Sequence, residues 1–498
     1  MIQRRLVPPG ARVTLLAALL TLTACAAPPA RPDHPALRDA VPLAGLQAPT
    51  GAGWPDAQWW RAYGDPQLDM LIDRALRQAP DLALAQSRVQ GAEQSARLAA
   101  AQAGLSVNGN AQVSRQRMSE HGLIPSRFLG FTWYNQADLG IQLQYDLDWW
   151  GKRRAGVEAA LDQAHAAEAQ RSAAALAIQY AVADTYFGWQ ADQARLQLAE
   201  QAVRVQQQLQ RIAALRVHQG VDVPDEAQAA DARLAAAREL RVAMDGSAKI
   251  RLAALAALLG VAPQELPPLQ PRPLPAIDSS LPASAGVDLI ARRPDIVASR
   301  WQVEAALKQT DVARAAFFPD VSISALVGLS SIDLGKLFTP GSRTFGITPA
   351  LHLPIFNGGA LQANYGLSRA QLDAAVAQYN AAVLDAARDV ASAALTAQMI
   401  AARHTEQRAA IHADEQLLGS AQARERQGVR DARERLAAQA QLLQQRDAST
   451  QLQAQAISTD LTLVKALGGG YRAAPPPAPF AASSTHPSSP AVPAGADQ

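Results

Sequence analysis

Residues 152–218 run for 67 positions without a proline and are rich in Ala and Gln, the composition and continuity of one unbroken helix. At 1.5 Å per residue such a helix is roughly 100 Å long, far more than one globular core can surround. The segment just before it has a different period. In "GIQLQYDLDWW" Ile141, Leu143, Tyr145, Leu147 and Trp149 alternate with Gln142, Gln144, Asp146 and Asp148, which puts an apolar face and a polar face on one strand. A two-faced strand that turns at Gly151 into a very long rod is a severe constraint on architecture.

The chain then repeats itself. "QAPDLALAQSRVQ" from Gln78 is echoed by "RRPDIVASRWQVE" from Arg292, with Pro80 matching Pro294 and Val107 matching Val321, 214 positions on. Gly140 and Leu147 recur as Gly346 and Leu353 at an offset of 206, and "RVHQGVD" recurs as "RERQGVR" at 208. Offsets that drift by a few residues describe a tandem duplication with loop insertions. Each half reads as helix, strand, strand, long helix, turn, long helix. In the first half the leading helix is Ala83 to Ala103, the strands are 105–117 and 133–149, and the long helices are about 152–218 and 225–260. In the second half the strands are near 320–332 and 343–355, and the long helices about 360–427 and 431–467. The repeats span 61–262 and 287–468; the Pro-rich segment 263–286 between them can hold no regular element and is read as an extended crossover. Residues 469–498, after the Gly run that caps the last helix, read as a disordered tail.

At the N-terminus Arg4, Arg5 and Arg12 precede a short apolar run, 13–22, too short to span a bilayer. Residues 1–24 read as a signal peptide, and Leu22-Thr23-Ala24-Cys25 matches a bacterial lipobox, so Cys25 is the expected lipidation site and 25–60 a lipid-anchored segment. Cys25 is the only cysteine, which excludes a disulfide framework. Ala26, rather than Asp, follows it, which favours sorting to the outer membrane. A net charge of +2 gives no footprint for nucleic acid, the eight His residues have no metal-ligand spacing, and no nucleophile–base pair appears. No cofactor is expected beyond the covalent lipid.

The strands are about as long as a bilayer crossing needs, and strands in lipid must close into a barrel. Four per chain cannot close, so the chain must oligomerise; two or three copies supply roughly eight or twelve strands, and only the larger barrel leaves a channel. Ile141, Leu143, Tyr145 and Leu147 then face lipid, while Gln142, Gln144, Asp146 and Asp148 line the lumen. The long helices must project away from the membrane. Leu198, Ala202, Val205, Leu209 and Ile212 follow a 4-3-4-3 spacing that marks a packing seam. Gly151, Gly358 and Gly359 permit the strand-to-helix bend. Trp149 and Trp150 read either as an aromatic girdle or as packing at that junction.

"YDLDWWGKRR", "ARRPDI", "FFPDVS", "LPIFNGGALQA" and "VKALGGGY" occur in the order found in the outer-membrane efflux lipoproteins, and the chain resembles that TolC-like family over about residues 55–471. The resemblance implies a mainly α protein with membrane β structure: a homotrimer whose 12-stranded β-barrel, four strands per chain, continues into a 12-helix periplasmic α-barrel. It implies a passive exit duct for drugs or other small toxic compounds, with no enzymatic activity. Implied partners are a periplasmic adaptor (membrane fusion) protein, an inner-membrane transporter of RND or related type, and outer-membrane lipid.

In this family the turns between paired long helices close the periplasmic end, here near Gly220 and Gly428. Multidrug members carry a later Asp and Arg after the second Gly; this chain has Ala437 and Ala440 there, so those roles do not carry over. The charges that remain near the tip are Asp222, Asp225, Glu226, Asp431, Arg433, Glu434 and Arg435, candidates for ion pairs at the gate or else solvated charges on exposed helix starts. Two alternative functions are a lipid-anchored coiled-coil envelope scaffold and an exit duct for type I protein secretion. A scaffold needs no apolar outer stripe on its strands.

Overall fold

The computed structural model describes residues 35–38, 40, 53–119, 128, 130–277, 282 and 285–473. The expected signal peptide, the lipidation site Cys25 and the tail beyond residue 473 lie outside the described residues.

Among the described residues eight α-helices and four strands follow one another as α1 (Pro66–Gln78), α2 (Pro80–Ala103), β1 (Ser106–Arg117), β2 (Trp133–Leu147), α3 (Lys152–His218), α4 (Pro224–Leu258), α5 (Ala285–Arg292), α6 (Pro294–Ala315), β3 (Asp320–Ser331), β4 (Arg343–His352), α7 (Ala360–Arg426) and α8 (Ala432–Ala466). Prolines open α1, α2, α4 and α6 at the first helical turn, where the missing N–H is no loss and the fixed φ already suits a helix. That is why α2 begins at Pro80 rather than at Ala83. The amphipathic α1 precedes it, with Asp65 accepting from the Gln67 N–H at 2.9 Å as its cap.

The strands form one antiparallel sheet in the order β1-β2-β3-β4. Its register places Val107, Leu143, Ala325 and Ile347 in one row, and Gly109, Ile141, Val327 and Phe345 in the next. Directly paired residues share a face. One face is therefore apolar over most of the four strands, with Arg115, Arg117, Asn135 and Arg343 at its end remote from the helices, and the other carries Asn108, Gln142, Gln144, Ser324 and Thr348, with Leu326 and Ala350 among its apolar members. In the Gly140–Gly328 pair, a Cβ on Gly328 would stand 2.4 Å from the Leu139 carbonyl oxygen, so this crossing admits glycine only.

Beyond the sheet, α3 and α7, 67 residues each, run the full length of the helical part. Near the sheet α2, α3, α6 and α7 lie side by side in that order; farther away the order is α4, α3, α8, α7. Contacts fix the levels: Lys308 on α6 meets Glu158 early in α3 at 2.6 Å, whereas Arg195 farther along α3 holds Asp447 on α8 at 2.7 Å. The chain thus builds a curved wall of four helical columns, two continuous and two made of a short helix above another. The seam residues Leu198, Ala202, Val205, Leu209 and Ile212 pack on Leu436, Leu443, Ala432 and Ala440 of α8. No described helix is long and apolar enough to cross a membrane.

The thickest packing is at mid-height. Trp59, Trp60, Leu68, Leu71 and Ile72 bury against Ile178, Val182, Tyr186 and Phe187 of α3 and Leu255 of α4, while Leu372, Val376, Tyr379 and Val383 of α7 form a second core with Leu289 and Ile296. The crossover holds one short 3-10 turn, Pro263–Glu265, a small departure from the expected absence of regular structure. It is tied down by side chains: Gln67 and Gln190 accept the backbone N–H groups of Gln270 and Arg272 at 2.8 and 2.7 Å.

Candidate functional site

Three regions gather the residues singled out above: the two-faced sheet, the junction between sheet and helices, and the far tip of the helical hairpins.

On the sheet, Ile141, Leu143, Tyr145 and Leu147 occupy the apolar face with Val327 and Phe345, which are 60% and 83% exposed. An apolar row this exposed is not the inner face of a sandwich. Gln142, Gln144 and Asp146 lie on the opposite, polar face with Asp138, whose carboxylate accepts from Ser330 at 2.6 Å.

Asp148 is a correction to the expected row of lumen residues. β2 ends at Leu147, and the Asp148 carboxylate turns back to accept the backbone N–H groups of Arg153 and Arg154 at 3.0 and 2.8 Å. It caps α3, whose first N–H groups have no partner within the helix. Gly151 precedes that helix with φ +74°, and Gly358 and Gly359 precede α7 with φ +63° and +86°, left-handed conformations that L side chains rarely adopt. The same junction is braced by the ion pair of Arg153 with Asp146, by Arg153 donating to the Gln102 carbonyl at 2.7 Å, and by Lys152 with Asp320 at 3.1 Å. Trp150 stacks on Phe318 at 4.4 Å and donates to the Pro319 carbonyl at 2.9 Å, so it packs the junction; Trp149 is exposed.

At the tip, each hairpin turns through a left-handed glycine: Gly220 between α3 and α4, Gly428 between α7 and α8. The Val221 and Val429 N–H groups close these turns on the Arg216 and Arg424 carbonyls at 2.9 and 3.0 Å. Asp222 is held bidentately by Arg216, at 2.6 and 2.9 Å, and lies 3.7 Å from Arg433 at the start of α8. Arg216 hydrogen bonding holds the Asp222 carboxyl below its ordinary range, with the charge of Arg433 acting the same way. Asp431 caps α8 through the Arg433 N–H and also takes the Arg433 side chain at 2.8 Å; burial alone would raise its pKa, and these bonds lower it. Glu434 pairs with Arg424 at 2.5 Å and Arg430 at 3.6 Å, and Arg435 with Glu425 at 2.5 Å. Asp225 and Glu226 are exposed in the first turn of α4 and make no ion pair among the described residues.

The sequence reading had missed Arg216, Arg424, Glu425 and Arg430. The signal was present, because Arg216 and Arg424 open the duplicated heptapeptides "RVHQGVD" and "RERQGVR". Ala440 packs in the α3–α8 seam, whereas Ala437 is exposed. Among the described residues no group of three His, Cys, Asp or Glu side chains is arranged to hold a metal ion.

Comparison with known proteins places this geometry. The sequence profile of the outer membrane efflux proteins matches residues 71–261 and 286–469. The multidrug resistance outer membrane protein MdtP of Escherichia coli K12 is 34% identical over 452 residues, covering 89% of this chain and 91% of that protein. MdtQ of Escherichia coli O157:H7, also a multidrug resistance outer membrane protein, is 34% identical over 466 residues, covering 91% of this chain and 97% of the relative. The crystal structure of the outer membrane protein VceC from Vibrio cholerae superposes with a TM-score of 0.76 at 33% identity, over 84% of this chain and all of that one.

Proposed function

The chain belongs to the outer membrane efflux protein family, and on that premise we propose that three copies close a single conduit leading from the periplasm through the outer membrane. The protein is an outer-membrane efflux channel, a transport duct and not an enzyme. The observation that carries the assembly is the sheet. Apolar rows such as Val107, Leu143, Ala325 and Ile347 run across all four strands, yet β1 and β4 end the sheet as open edges that lipid cannot satisfy. Pairing β4 of one copy with β1 of the next removes every edge, and three copies supply twelve strands with an open lumen.

The helical wall supports the same closure. Its outer columns carry unburied apolar side chains, Leu98 on α2 and Ile250 on α4 at one side, Leu395 and Met399 on α7 at the other. Each side fits the opposite side of a neighbouring copy, so the tunnel continues below the membrane as twelve columns. The charged hairpin tips then meet around the tunnel axis and form its resting gate.

The finer assignments are a covalent lipid on Cys25, a periplasmic adaptor gripping the helical hairpins, and an inner-membrane transporter of RND or related type that supplies the energy. The tunnel's polar lining suits drugs and other small toxic compounds, and selection among them falls to the transporter. Electron microscopy of the full-length protein extracted in detergent tests the assembly: a threefold hollow particle with about 100 Å of helix below the detergent belt is expected. A monomeric rod without a belt would sink it. Replacement of Cys25 by Ser should abolish incorporation of radiolabelled palmitate while the channel still forms.

A further inference from the structure

Between the first turns of α3 and the last turns of α6, just below the sheet, lies an open cleft of about 750 Å³ lined by Trp150, Arg154, Glu158, Lys308, Arg314 and Phe318. It belongs to the two inner columns of one copy, away from α2 and α7, which meet the neighbouring copies in the trimer proposed above. Its direction follows from helix geometry. Lys152 and Arg153 reach Asp320 and Asp146, which have the parity of the polar rows, so that side of α3 faces the lumen. Successive residues advance by about 100°, which brings Arg154 and Glu158 out about half a turn away. The cleft therefore opens outward, directly under the lipid-facing rows that end at Leu147, Val321 and Leu351.

Charges in the cleft are sorted by depth. Arg154 and Arg314 stand nearest the sheet, beside the stacked rings of Trp150 and Phe318. Arg154 is exposed, and the Arg314 Nε has no hydrogen-bond partner among the described residues. Glu158 and Asp311 come one helical turn farther from the sheet, about 5 Å, and Lys308 donates to Glu158 at 2.6 Å. Asp162 and Glu304 lie a turn beyond. Asp162 is pushed up to about 6 by burial first and then by Glu304 and Glu158, so the pull of Lys308 is outweighed there.

Rings, then cations, then carboxylates, met in that order on leaving the membrane, match one kind of headgroup. A phospholipid whose phosphate carries a terminal primary ammonium holds the phosphate next to its acyl chains and the ammonium about one helical turn farther into water. Aromatic rings settle at that boundary, and guanidinium groups fit phosphate through their paired N–H donors. A carboxylate accepts about four hydrogen bonds, so Glu158 can keep Lys308 and still take an ammonium.

We propose that the cleft between α3 and α6 binds the headgroup of a zwitterionic phospholipid with a primary ammonium in the periplasmic leaflet, its phosphate on Arg154 and Arg314 and its ammonium on Glu158 and Asp311. The proposal rests on the channel reading and goes beyond it in naming a lipid, its leaflet and its contacts.

Native mass spectrometry of the full-length protein, stripped of lipid and then offered phosphatidylethanolamine or phosphatidylglycerol with the same acyl chains, tests this directly. Wild-type trimers should retain the ethanolamine lipid about tenfold better. Glu158→Gln should abolish that preference, whereas Arg154→Gln should weaken retention of both lipids. Equal retention by the wild type, a preference that survives in E158Q, or undiminished binding in R154Q overturns the proposal. So does displacement of the lipid by chain-free glycerophosphoethanolamine at equal concentration, which would give the cleft to a soluble zwitterion. If a variant does not assemble, the two-lipid comparison and the competition on the wild type decide. Single-channel conductance in a planar bilayer separates the two readings. Wild-type trimers that conduct without preferring the ethanolamine lipid sink only the lipid site, whereas wild-type protein without trimers or conductance sinks the channel itself.

Discussion

The Asp222 carboxylate faces two guanidinium groups from different halves of the duplicated chain: Arg216, bidentate at 2.6 and 2.9 Å, and Arg433, at 3.7 Å from the start of α8. The first contact stiffens one hairpin turn. The second ties that turn to the neighbouring hairpin, and it is the only described ion pair that joins the α3–α4 tip to the α7–α8 tip. A tip held by a few partly exposed pairs opens at small cost, which suits the resting gate proposed above.

Neutralising that link should open the tunnel. Replacing Asp222 by Asn, or Arg433 by Gln, is expected to raise mean conductance in planar bilayers at least about twofold, and the double variant should add little to either. Additive effects would mean that the two residues act separately. Because the Asp222 and Asp431 carboxyls lie below their ordinary range, their contribution is fully present above about pH 4 and is lost as pH falls through their folded values. Conductance should therefore be flat from about pH 7 to 5 and rise below about 4. A flat profile down to about pH 3 would remove these carboxylates from the gate.

A second titration has the opposite sign. Asp162 on α3 is pushed up to about 6, first by burial and then by Glu304 and Glu158, against the opposing pull of Lys308. A carboxyl raised above its unfolded value favours the fold at low pH and works against it as pH rises through about 6. Asp162→Asn should leave thermal stability unchanged at about pH 3, below both the unfolded and the folded value, and raise it at pH 8, by about 1 kcal/mol per chain after allowing for solvent screening at this half-exposed site. Denaturation of the detergent-solubilised protein at the two pH values checks the difference.

Much of this molecule was legible in its sequence because the periodicities are long and the punctuation is sharp. α3 begins and ends at Lys152 and His218 as expected, since Gly151 and Gly220 bracket an unbroken helical composition. Residue alternation overran β2 by two positions. Asp148 has the right parity for a strand face, but its carboxylate is spent on the α3 N-terminus, and capping cannot be told from alternation at a strand end. The tip network was half visible: partners on one helix lie three or four residues apart, whereas Arg216–Asp222 and Arg424–Glu434 close across a turn at spacings of six and ten. Only the fold brings such pairs together.

The buried tie between α1, α3 and the crossover offers a stability prediction. Tyr186 donates to Asp65 at 2.6 Å and receives bonds from Gln190 at 2.7 Å and Gln67 at 3.1 Å, while burial first and then Asp65 push its hydroxyl pKa upward. Tyr186→Phe leaves the amides of Gln190 and Gln67 short of an acceptor in a buried place. The expected cost is about 1–3 kcal/mol, seen as a lower unfolding temperature, with conductance unchanged in the protein that remains folded. An unaltered unfolding temperature would mean that water replaces the hydroxyl at little cost.

Leu326 and Val327 are adjacent on β3 but stand on opposite faces of the sheet, Leu326 paired with Gln142 among the polar rows and Val327 with Ile141 among the apolar ones. One substitution introduced at each position therefore isolates the direction a side chain faces from everything else about the strand. An arginine at Val327 would sit in lipid near mid-bilayer and should cost about 2–4 kcal/mol per copy, enough to deplete the protein from outer-membrane fractions. An arginine at Leu326 would enter the aqueous lumen, so assembly should be normal while single-channel conductance and ion selectivity shift toward anions. Fractionation and bilayer recording of the two variants side by side read both effects. If Leu326→Arg blocked assembly and Val327→Arg did not, the faces would be assigned the wrong way round. If neither affected assembly, the strands would face water on both sides and the envelope scaffold would replace the channel.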